Sequence, residues 1–239
     1  MHAPTRPRND VRQYDDLAGE WWPPRGRFAM LHWIAAARAR LVPPAPRTGA
    51  LLVDLACGAG LFADHATALG YRHVGFDLSP TALPQARDHG VLVARADVLR
   101  LPLPDAIADV VAAGEILEHV TDLPAAVAEA CRVLRPGGTL VLDTIARTRT
   151  ARVAAVTIAE AVPGGAPKGI HDPALFVERA ELRRLCAQHG VPVRLSGLRP
   201  SVVDSALWLL HRKSSVRMVP TWSTSVLFQG HGIKQGGPG

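Results

Sequence analysis

Apolar runs alternate with helical stripes from residue 51 to residue 144, a pattern that predicts a parallel sheet covered on both faces. Strands are expected at Leu51–Leu55, His73–Phe76, Val91–Arg95, Asp109–Ala113 and Thr139–Thr144. Helical periodicity fills the gaps at about 61–69, Pro80–Asp88 and Asp122–Leu134, with a short helix over Glu115–His119. Arg135, Pro136, Gly137 and Gly138 read as the turn before the fifth strand. The regularity then lapses until His171. A helix at Pro173–Gly190 follows, then a strand at Val191–Leu198 and a reversed final strand at Ser223–Phe228. The expectation is an α/β chain with a seven-stranded, mostly parallel, Rossmann-like sheet. Its last strand is antiparallel, and an insertion follows strand five.

The ends read differently. Residues 1–13 are polar and rich in Pro and Arg, as a frayed segment would be. Tyr14–Leu41 reads as helical pieces broken at Pro23-Pro24, and Pro43, Pro44 and Pro46 mark a linker. This divides the chain into an N-terminal helical lid (1–46), one α/β domain (47–230) and a disordered tail (231–239).

Composition narrows the classes. With 239 residues and 48% hydrophobic content the chain can bury one ample core. No apolar run approaches the roughly 20 residues of a membrane span, and MHAPTRPRND lacks a secretory signal's apolar core. A cytoplasmic protein is expected. The net charge of +6 is almost all arginine, lysine occurring only at Lys168, Lys213 and Lys234. These charges are dispersed, so no nucleic-acid partner is expected. The exception is the apolar stretch flanked by Arg147, Arg149, Arg152 and Lys168. Such a segment suits peripheral contact with a membrane face, or equally a lid over a pocket. Cys57, Cys131 and Cys186 form no C-x-x-C pair, so buried thiols are expected.

The most informative residues are LLVDLACGAG, from Leu51 to Gly60. A strand, a turn of small residues and a helix open an α/β nucleotide site, where a ligand approaches bare backbone. A dinucleotide fingerprint needs a third glycine that this turn lacks. Asp54, Ala56, Gly58 and Gly60 instead resemble motif I of class I S-adenosylmethionine (SAM)-dependent methyltransferases. Further segments agree in order: VGFDLSP with Asp77 and Leu78, ARADVLRLPLPD with Asp97 and Val98, and LRPGGTLVL. The segments EWW, FAMLH, EILEHV and PKGIHD are similar to the O-methyltransferases of ubiquinone biosynthesis. That resemblance implies methyl transfer from SAM to a phenolic oxygen of a catechol or hydroquinone-like ring. It implies an Arg38 contact with the SAM carboxylate, an Asp77 contact with the ribose hydroxyls, and Asp97 and Val98 beside the adenine. Asp54 is expected to act indirectly, by holding the turn's amides. Two departures stand out: the family usually has Gly at Ala56 and a larger residue at Gly114.

On a helix Glu115, Glu118 and His119 would share one face, with Cβ atoms roughly 5–6 Å apart. Two carboxylates and an imidazole suit a divalent cation, Mg or Mn, which the resemblance also implies; otherwise this is a solvated helix face. A cation would favour the phenolate. His119, His171 and Glu118 are the candidate catalytic groups. The sequence leaves either histidine, or the metal alone, to remove the proton. Asp172 reads as the N-cap of the helix at Pro173. Two other readings stay open: methylation of ring carbon, and a SAM- or lipid-binding accessory protein with degraded catalysis.

Overall fold

The computed structural model describes residues 6–158, 160 and 166–236. Residues 159 and 161–165 of the expected insertion, residues 1–5 of the lid and residues 237–239 of the tail lie outside them. The chain runs α1 (Arg12–Asp16), a 3-10 turn at Ala18–Glu20, α2 (Ala29–Ala39), β1 (Leu51–Leu55), α3 (Ala63–Ala68), β2 (Arg72–Asp77), α4 (Ala82–Asp88), β3 (Leu92–Arg95) and β4 (Ala108–Gly114). It continues through α5 (Leu123–Val133), β5 (Leu134–Ile145), α6 (Arg149–Arg152), a π turn at Val153–Ile158, α7 (Arg179–Gln188), β6 (Val193–Pro200), α8 (Val202–Leu209), β7 (Met218–Thr221) and β8 (Leu227–Ile233).

The strands form one sheet in the order β3-β2-β1-β4-β5-β8-β6-β7. β1 to β5 are parallel; β8 lies antiparallel between β5 and β6, and β7 is antiparallel to β6. The sheet therefore has eight strands, one more than expected. The extra strand, β7, is four residues long and contains Pro220, too short and too interrupted to stand out as an apolar run. β4 carries the clearest signature: every residue from Ala108 to Ala113 is buried, as a central parallel strand requires.

Other boundaries moved for local reasons. Arg135–Gly138 belongs to β5 but bulges out of register, Ala108 pairing with Leu134 and Val110 with Thr139. Asp172 accepts the Ala174 N–H and starts a single turn only; α7 begins seven residues later, capped by Glu178. The final strand runs through His231–Ile233 into the expected tail, and Lys234 donates to the Cys131 and Leu134 carbonyls. α8 fills what read as loop, leaving Val202, Val203, Leu209 and Leu210 exposed. Cys57, Cys131 and Cys186 are buried free thiols. No helix among the described residues is long and apolar enough to cross a membrane.

From Arg6 onward the N-terminal segment is tied down rather than frayed. Arg6 pairs with Asp16, Asp15 accepts from Ser79 and Thr81, and Gln85 donates to the Ala18 carbonyl. Trp21 is buried in a stack with Tyr14 and Phe28, and Trp22 donates its indole N–H to the Ala59 carbonyl. The segment thus roofs the carboxyl edge of β1 and β2.

Candidate active site

At that edge lies a cleft of about 350 Å³, within the range of small-molecule sites. One end is built from backbone turns. After β1 the chain turns through Ala56 at φ 55° and Gly58 at φ 53°, both left-handed. Glycine adopts this conformation freely and alanine only with strain. A Cβ at Gly58 would meet the Trp21 ring at 2.8 Å, so the turn and its roof fit only without one.

Asp77, at the end of β2, organises this turn. Its two oxygens accept the Gly58 and Ser79 N–H groups, each at 2.8 Å. Burial raises its pKa against the pull of those bonds. The expectation that Asp54 holds the turn's amides is corrected: Asp54 lies on the cleft wall but faces His73 Nε2 at 3.2 Å. Leu78, Asp97 and Val98 complete this wall. Gly60 is off it, because its Cα faces α4, where a Cβ would meet Ala86 Cα at 2.9 Å. Arg38 reaches in from α2 and Gly114 from the end of β4.

The other end is built by the segment after β4. Here the expected helix over Glu115–His119 is absent: Glu115 is left-handed at φ 51°, and a turn follows. With no helix there is no shared face, and Glu115 falls outside the cluster. The side chains brought together are Glu118, His119 and His171, whose ligand atoms all lie within 4.8 Å of one another. The imidazoles of His119 and His171 stack at 5.4 Å between centroids.

Each group is under strong local control. Glu118 is fully buried; its Oε2 accepts the Thr144 hydroxyl at 2.7 Å, while Oε1 has no partner among the described residues. Burial pushes its pKa up to about 7, and burial with the nearby Glu118 charge holds Glu115 well above the usual carboxylate range. Burial drives His119 down to about 3 and His171 to about 4, so both imidazoles are neutral. Asn9 brackets His119: its amide donates to the His119 carbonyl at 3.0 Å and its Oδ1 faces Nδ1. That acceptor places the ring proton on Nδ1 and leaves the Nε2 lone pair toward the Tyr14 hydroxyl, 3.3 Å away. His171 Nδ1 is buried with no partner among the described residues.

A divalent cation fits this set. A carboxylate oxygen and an imidazole nitrogen stand buried and unpaired beside a second imidazole already oriented by Asn9. Asn9, Tyr14, Asp143 and Thr144 escaped the sequence reading. Asn9 sits in an aperiodic polar stretch, while Asp143 and Thr144 look like ordinary strand positions.

The sheet order, with a small-residue turn braced by the aspartate ending β2, defines a SAM-dependent methyltransferase. Residues 53–142 match a methyltransferase domain family. The chain is 33% identical over 221 residues to the ubiquinone biosynthesis O-methyltransferase of Methylobacterium sp. (strain 4-46), covering 81% of this chain and 86% of that protein. It is 35% identical over 191 residues to that of Thiobacillus denitrificans, covering 76% and 82%. The chain belongs to the ubiquinone biosynthesis O-methyltransferase family. Among solved structures, a SAM-dependent methyltransferase from Thermotoga maritima superposes with a TM-score of 0.64 at 20% identity, covering 94% of this chain and 97% of that one. A Haemonchus contortus N-methyltransferase solved with S-adenosylhomocysteine gives 0.59 at 14% identity, covering 95% and 61%. These likenesses speak to the fold.

Proposed function

We propose that the protein methylates a phenolic hydroxyl of a catechol- or hydroquinone-like ring, of the kind its relatives' names associate with ubiquinone precursors. The observation that carries this reading is the cluster of Glu118, His119 and His171, whose two imidazoles line the same cleft as the turn braced by Asp77. When bound, SAM supplies an electrophilic methyl on its sulfonium. Asp77 takes the ribose hydroxyls, Asp97 and Val98 border the adenine with Leu78, and Arg38 takes the carboxylate. Ile116, Val120 and Ile170 offer the ring an apolar wall that excludes water.

Two features prepare the acceptor oxygen. Each neutral imidazole has one lone pair, which takes either the hydroxyl proton or a cation, and Asn9 fixes the tautomer of His119. Glu118, His119 and His171 would hold a divalent cation, which would lower the hydroxyl's pKa. Holding the oxygen in line with the methyl supplies most of the remaining acceleration.

The test is a mass-spectrometric screen of catechols and hydroquinones with SAM, on protein stripped with EDTA and then given Mg or Mn. A product with a new O-methyl resonance, dependent on the added metal, supports the proposal. A C-methyl product, or no product from any phenol despite SAM binding, overturns it.

A further inference from the structure

The structure gives Gly114 a specific use. Arg38 crosses from α2 to β5 and meets Asp143 in a fork: Nε to Oδ2 at 2.6 Å and Nη2 to Oδ1 at 2.9 Å. Both side chains are buried. The guanidinium passes directly over Gly114, and a Cβ there would overlap its Cζ and Nη2. Gly114 thus supplies the space and Asp143 the anchor. The Phe62 ring packs beneath, its centroid 5.3 Å from Cζ.

A guanidinium is planar with five N–H groups in fixed directions, so anchoring two of them aims the rest. Nη1 makes no hydrogen bond to the described residues, and Arg38 lies on the cleft wall. We propose that Gly114 and Asp143 are positioning residues that hold Arg38 with its Nη1 edge toward the carboxylate of the SAM methionine moiety. In this chain the cofactor's amino-acid end is recognised by three residues acting as one unit. The proposal rests on the reading that the cleft takes SAM with its carboxylate at Arg38.

Calorimetric titration with two ligands tests it. S-adenosylhomocysteine carries the carboxylate; 5′-methylthioadenosine keeps the nucleoside and sulfur but lacks the amino-acid end. Wild type should prefer the first by at least about tenfold, the scale of a hydrogen bond to a charged group. Gly114→Ala should cut that preference by about tenfold and leave methylthioadenosine affinity within about twofold. In an Arg38→Met background the same Gly114→Ala change should leave the preference unchanged, because its effect passes through the guanidinium. Asp143→Asn, close in shape, should lower the preference in the otherwise wild-type protein. An unaltered preference in both Gly114→Ala and Asp143→Asn overturns the proposal, as does an equal loss of affinity for both ligands. If wild type binds neither ligand, the SAM reading of the cleft falls as well.

Discussion

Two buried carboxylates at opposite edges of the sheet, Asp109 and Glu118, show how the same chemistry serves different ends. Asp109 opens β4 and accepts from Arg47 at 2.8 Å, from Arg135 at 2.6 Å and from the Leu51 N–H at 2.8 Å. It clamps three parts of the chain together, with donors on both oxygens. Glu118 lies just beyond the other end of the same strand and has one donor, Thr144, with Oε1 unpaired. Burial without a partner costs free energy, and on the proposed reading a cation offsets that cost at Glu118. One carboxylate braces the fold, and the other is proposed to serve the chemistry.

Substitutions can break that contrast, starting with the largest effect. Glu118→Gln should lower turnover by about 10²–10³-fold while leaving SAM affinity nearly intact and the melting temperature unchanged or higher. Product formation, calorimetry and thermal unfolding read these together. Asp109→Asn should do the reverse, costing about 1–3 kcal/mol of stability with turnover at low temperature retained; Arg47 and Arg135 are partly exposed, so water recovers their charges. If Asp109→Asn is inactive while folded, or Glu118→Gln unfolds, the two edges do not divide the work this way.

Smaller changes sharpen the picture. Asn9→Ala frees the His119 ring and should reduce turnover by about tenfold, with little change in SAM binding; steady-state kinetics with both substrates varied separates the two. Ala56→Gly relieves a left-handed alanine and should raise stability by about 0.5–1 kcal/mol, the relief exceeding the entropy that glycine adds to the unfolded chain. Chemical denaturation reads that shift directly. A destabilised Ala56→Gly would show that the turn tolerates its alanine without strain.

The sheet was legible because its signals are local. The buried run of β4, the small-residue turn after β1 and the aspartate ending β2 each declare themselves within a few residues. The cleft's second end was only half legible. EILEHV reads as a helix by spacing, but Glu115 adopts a left-handed backbone that no spacing rule anticipates. That one torsion removes Glu115 from the cluster and lets His171, 52 residues beyond His119, enter it. Asn9 and Asp143 act across 110 and 105 residues, through contacts that only the packed N-terminal segment creates.

The bond between Asn9 and His119 also has a practical side. Asn9 lies outside the sheet yet touches an imidazole proposed for proton removal. A protease cut that releases Asn9 would leave the sheet folded and the imidazole unheld, and the product would pass for a sluggish enzyme.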